Sequence, residues 1–155
     1  MRTSVLVLLA CSAMCQVASA ADRKVLIVGI DGVRPDAFQV ADTPNMDALI
    51  ANGAVSWTCM AEDISFSGPC WSTILTGVHR AKHGVTSNSF VPNNFSAYPH
   101  FFARLRGAEG ACPGIRTASI VHWAPVNTNI VMGNADVIQT YTTDDAVRDA
   151  VAAEL

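Results

Sequence analysis

The sequence predicts an α/β fold, a mostly parallel sheet flanked by helices, and three observations carry that prediction. Val25 to Ile30 is an apolar run with no interior polar residue, ended by Asp31-Gly32. "RTASIVHW", Arg116 to Trp123, is a second apolar run of similar length. Helical patterns stand between and after them. Short continuous apolar runs read as strands covered on both faces, and strands that alternate with helices build parallel sheets. Ligands of such sheets bind beyond the carboxyl ends of the strands, which is where Asp31 falls.

In chain order, "MRTSVLVLLACSAMCQVASA" combines Arg2, an apolar stretch from Val5 to Ala10 and the small-residue site Ala18-Ser19-Ala20. It reads as a secretory signal peptide, residues 1–20, because the apolar run falls far short of the ~20 residues that span a bilayer. The expected localisation is secreted, extracellular or periplasmic. Cleavage would leave Cys59, Cys70 and Cys112, an odd number with no C-x-x-C pair, so a cysteine zinc site is not indicated.

"DTPNMDALIANGA" predicts a helix with Thr43 as N-cap, Pro44 in first position and Gly53 as stop. Ser67-Gly68-Pro69 opens a second helix that Gly77 ends. Residues 84–98, rich in Ser, Asn and Pro, read as irregular, with a glycosylation sequon at Asn94-Phe95-Ser96. "YPHFFARLRGAEGA" reads as a helix. "TTDDAVRDAVAAEL" reads as a last one, with Thr142 and Asp145 in capping-box positions and Val147, Ala150 and Val151 on one face.

Net charge of −3 over 155 residues gives no basic excess for nucleic acid or anionic lipid. No G-x-x-x-x-G-K-[ST], G-x-G-x-x-G or G-x-S-x-G occurs, which removes the P-loop, dinucleotide and nucleophile-elbow signals. Three residues remain for chemistry. Asp31 is a carboxylate at a strand end, serving either as a turn acid or as a partner for a cation. Ser67 lies where a helix begins, as a cap or as a nucleophile beside backbone N–H groups that favour an anion. Asn88 is a loop amide that either stabilises a turn or donates to a phosphoryl or sulfuryl oxygen. His83-Gly84 reads as structural, and His79 with His83 lacks the surroundings of a helical zinc pair.

"VLIVGIDGVRPD", "TPNMDALIANGA", "SGPCWSTILTGVHRAKHGV" and "SNSF", in this order, resemble the N-terminal part of the alkaline phosphatase superfamily, and above all its type I phosphodiesterase / nucleotide pyrophosphatase branch. The resemblance implies an alkaline-phosphatase-like sheet and a two-metal hydrolase, usually with zinc, acting on a small phosphodiester, nucleotide or related ester. On the matching positions, Asp31 holds a metal, Ser67 is both metal ligand and nucleophile, and Asn88 binds phosphate 21 residues further on. Sulfatases and phosphomonoesterases of the same superfamily are the alternatives. Sulfatases carry an arginine where this chain has Trp71, and usually two acids after the first strand where this chain has one. Gly68 stands where an aromatic often follows the nucleophile. The family's remaining ligands, including an Asp-His-Gly motif, are expected beyond Leu155, so residues 21–155 read as the N-terminal portion of a longer hydrolase. A secreted, non-catalytic α/β fragment is the reading from another class.

Overall fold

The computed structural model describes residues 24–106 and 114–155. The expected signal peptide, Cys112 and the end of the "YPHFFARLRGAEGA" helix lie outside them. Six α-helices, two strands and one π-helix follow in the order α1 (Pro35–Phe38), α2 (Pro44–Asn52), α3 (Ser67–Thr76), α4 (Arg80–His83), α5 (Phe101–Arg106), β1 (Ala118–Val121), the π-helix (Val126–Val131), β2 (Val137–Thr140) and α6 (Asp144–Glu154).

β1 and β2 pair in parallel, Ala118 opposite Val137 through Val121 opposite Thr140. Parallel neighbours need a crossover, and the π-helix supplies it. Its Asn127 is buried with every side-chain group used. Oδ1 accepts from Ser119 Oγ on β1 at 2.6 Å, while Nδ2 donates to Gln139 O at 2.9 Å and Thr140 Oγ1 at 3.0 Å on β2. One amide therefore fixes both strands to the crossover. At the other end of the ladder, Asp136 Oδ2 accepts from Thr117 N and Thr117 Oγ1, both at 2.8 Å, and these bonds hold its carboxyl below the usual range.

The sheet is thus parallel and helix-flanked, as expected, but the first predicted strand does not join it. Val25–Ile30 forms no ladder, and Val25, Leu26, Ile27 and Val28 are exposed. A strand covered on both faces needs neighbours on both edges, and among the described residues β1 and β2 pair only with each other.

The core gathers Leu75 of α3, Val126, Ile130 and Val131 of the π-helix, Ala135, and Val85, Phe90 and Phe95, with Trp71, Phe101 and Trp123 packed against it. Phe90 and Trp123 meet at 5.9 Å between ring centroids. The stretch 84–98 has little regular structure, as its composition predicts, yet it supplies three core side chains. Helix α2 has the predicted cap, first residue and stop. The cap of α6 is Thr143 rather than Thr142: its extended backbone points Oγ1 at Ala146 N, 3.2 Å away. Val147, Ala150 and Val151 are half-buried together.

Candidate active site

Helix α3 begins at Ser67. A serine at a helix start usually turns its hydroxyl onto a nearby backbone N–H. Ser67 makes no such bond: its Oγ donates to Asp31 Oδ2 at 2.8 Å, across 36 residues of sequence. Asp31 reaches it because Gly29, two residues earlier, lies flat on Trp71, one turn into α3. A Cβ on Gly29 would stand 2.0 Å from Trp71 Cη2, so any larger residue forces either the ring or this segment to move.

Asn88 performs the capping that Ser67 does not. Its Oδ1 accepts from Gly68 N at 2.7 Å. Gly68 is itself required by this approach, since a Cβ there would lie 2.6 Å from the carbonyl oxygen of Ser87. An aromatic in its place would push the Ser87–Asn88 loop away. The donor at Gly68 fixes the amide orientation: Oδ1 faces the helix, and the Nδ2 hydrogens have no partner among the described residues.

The first turn has fewer free donors than the sequence suggests. Gly68 N–H is taken by Asn88, Pro69 has none, and Cys70 N donates to Phe66 O at 3.1 Å. Ser67 N–H is left. Its companions facing an anion are therefore side-chain groups, namely Asn88 Nδ2 and the Ser67 hydroxyl.

The three residues singled out in the sequence thus meet at one end of one helix, although Asp31 leaves a turn rather than a strand end. As metal donors, Asp31 Oδ2 and Ser67 Oγ present two adjacent oxygens, which suits a divalent cation, but a closed zinc site takes four donors. Among the described residues no three His, Cys, Asp or Glu side chains gather to complete one.

A second polar cluster joins α3 to α4, and no local signal pointed to Glu62 as its centre. Glu62, with a side chain only 6% exposed, accepts at Oε1 from Thr73 Oγ1 at 2.6 Å, pairs with His79 Nδ1 at 3.0 Å and accepts from Arg80 N at 3.3 Å. The Thr73 hydrogen bond is the main cause holding its carboxyl below the usual range. Thr73 also meets His83 Nε2 at 2.9 Å. His83 is fully buried, which lowers its pKa and favours the neutral ring. The partners of Glu62 lie 11 to 18 residues away in sequence, too far for local spacing to pair them. His122, by contrast, sits at the surface against Asp144. Cys59 and Cys70 are free thiols. No helix among the described residues is long and apolar enough to cross a membrane.

Comparison with known proteins agrees with the motif order. The chain is 34% identical over 67 residues to ectonucleotide pyrophosphatase/phosphodiesterase family member 7 of Mus musculus and of Homo sapiens, and 33% identical to that of Rattus norvegicus. The match takes in 43% of this chain and 15% of each relative, so the chain spans only a small part of their length. No solved structure matches it. The family profile of type I phosphodiesterase / nucleotide pyrophosphatase matches residues 25–140, three quarters of the chain, across both strands and the whole Asp31–Ser67–Asn88 arrangement. The chain belongs to the type I phosphodiesterase / nucleotide pyrophosphatase family.

Proposed function

We propose that this chain carries the nucleophile of a metal-dependent hydrolase of phosphodiester or pyrophosphate bonds, exported by way of residues 1–20. The observation that carries the reading is the Ser67 Oγ to Asp31 Oδ2 hydrogen bond, set at a helix start beside Asn88 amide hydrogens that are free among the described residues. Asp31 orients the hydroxyl and accepts its proton as Oγ bonds to phosphorus. The P–O bond to the ester oxygen breaks, that oxygen takes a proton from solvent and leaves as an alcohol or phosphate, and water then cleaves the serine phosphoester as the proton on Asp31 returns to Ser67 Oγ. Asn88 Nδ2 and Ser67 N–H donate to the non-bridging oxygens, where charge grows in the transition state. Asp31 and Ser67 would hold a divalent cation, expected to be zinc as one of a pair, which lowers the hydroxyl pKa and offsets charge on the leaving oxygen.

Support for a diester over a sulfate ester comes from Trp71: its ring lies on Gly29 instead of presenting the cation that the sulfatase pattern carries there. The test is turnover of a chromogenic phosphodiester by the full natural protein with zinc. Ser67→Ala is expected to abolish it, and phosphate monoester and sulfate ester are expected to be poorer substrates. Unchanged turnover by the variant refutes the nucleophile, and an inactive wild-type protein that only binds phosphate supports the non-catalytic reading instead. Mass analysis of the exported protein should place its N-terminus at Ala21; an intact Met1 in the exported form would refute the signal peptide.

A further inference from the structure

We infer that Glu62, Thr73 and His83 form a positioning device that sets Ser67 and Asn88 relative to one another. Glu62 stands five residues before Ser67, and His83 five residues before Asn88. Both segments run without other regular structure into the site, so each needs an anchor. Thr73, in the middle of α3, joins the two anchors through one hydroxyl, 2.6 Å from Glu62 Oε1 and 2.9 Å from His83 Nε2.

The direction of the chain follows from its ends. Val85 N–H donates to His83 Nδ1 at 3.1 Å, so that nitrogen is an acceptor. A neutral ring with Nδ1 accepting carries its hydrogen on Nε2. His83 therefore donates to Thr73, and Thr73 in turn has its hydrogen free for Glu62, a carboxylate that can only accept. A hydroxyl that receives one bond and gives one is fixed in rotation, unlike a threonine that merely closes onto its own helix.

The anchor at Glu62 is reinforced by α4. His79 and Arg80 N bond the same oxygen, and Asp63 pairs with Arg80 Nη2. A carboxylate this buried is costly unless its bonds are kept, which makes any other placement of the segment unfavourable. The catalytic meaning of the device rests on the reading of Ser67 as nucleophile. Its geometry does not.

The experiment uses Glu62→Gln, which keeps shape and removes charge, and Thr73→Val, with Thr73→Ser as the variant that restores the hydroxyl. Amide hydrogen exchange is read over residues 64–68 and 87–88, with β1 and β2 as internal reference, together with kcat and KM. Loss of a charged hydrogen bond should raise exchange in both site segments about tenfold in E62Q and T73V and leave the strands unchanged. kcat should fall about tenfold with KM nearly constant, and T73S should return both readouts to wild type. The 15N spectrum of His83 should show the Nε2–H tautomer in the wild-type protein. Wild-type exchange in E62Q and T73V, an equal rise over the strands, or an Nδ1–H tautomer would overturn the device. Should Ser67→Ala retain activity while exchange responds as stated, the nucleophile reading falls and the positioning of the two segments stands.

Discussion

Asn88→Asp and Asn88→Ala separate the cap that Asn88 makes from the donor role proposed for it. Asn88 Oδ1 accepts from Gly68 N at 2.7 Å, and its amide hydrogens are free among the described residues. Alanine removes both groups. Gly68 is buried, so its N–H is left unpaired, but Asn88 is exposed and water can partly replace it. The cost then lies near the middle of the capping range, about 1 kcal/mol. For a domain of this size that lowers Tm by roughly 4 °C. Aspartate keeps an acceptor for Gly68. A negative charge at a helix start adds about 0.3–1 kcal/mol, which repulsion from Asp31 at the same turn opposes, so Tm should stay within about 2 °C of wild type. Neither variant retains the side-chain donor for the oxyanion, leaving Ser67 N–H alone, and a loss of about 10²–10³ in kcat is expected from both. Thermal melting and phosphodiester turnover, measured on both variants, give the answer. An aspartate variant within about threefold of wild-type kcat would refute the donor role, and an alanine variant that melts with wild type would refute the cap.

Gly29→Ala should place a methyl group within 2.0 Å of Trp71 Cη2, forcing the ring or the Asp31 segment to move. A red shift in tryptophan emission and at least about a tenfold loss of turnover are expected; unchanged emission would show that the contact tolerates a side chain. Burial lowers the pKa of His83 and of His100, so the unfolded chain binds more protons than the folded one below about pH 6.5. Their contribution is therefore complete above about pH 6.5 and lost as pH falls below it, whereas that of Glu62, whose pKa is lowered, holds until about pH 4.5 and is lost below. Melting curves against pH should show both ranges, and His100→Phe should flatten the upper one; a melting temperature flat from pH 7.5 to about 5 would contradict the burial argument.

Local chemistry made several elements legible in the sequence. Thr43-Pro44 and Gly53 bound α2 because cap, first-position proline and stop are short-range effects. Gly77 ends α3 for the same reason, and the run at 118–121 becomes β1 because β2 pairs with it. Val25–Ile30 shows the limit. Its composition states that it belongs inside a sheet, but a strand exists only when a neighbour bonds it, and among the described residues none does. β2 and the π-helix carried no clear signal, since Val137–Thr140 is short and polar at two of four positions and the crossover is stabilised by one buried asparagine whose partners lie 8 to 13 residues away.

The sequence by itself determined the family, through motifs kept in order, and with it the residue types Asp31, Ser67 and Asn88. Only the tertiary structure decided how they are used. Spacing cannot say whether a serine at a helix start caps the helix or faces a carboxylate, because both need the same hydroxyl in the same place. Long-range packing of Gly29 on Trp71 and of Ser87-Asn88 against Gly68 makes that choice: it brings an acid to Ser67, assigns the cap to Asn88 and leaves Ser67 N–H as the open backbone donor of the turn. His83 was read as structural, but its link through Thr73 to Glu62 was invisible for the same physical reason. A buried carboxylate is recognised by what surrounds it, and its surroundings are assembled only when the chain folds.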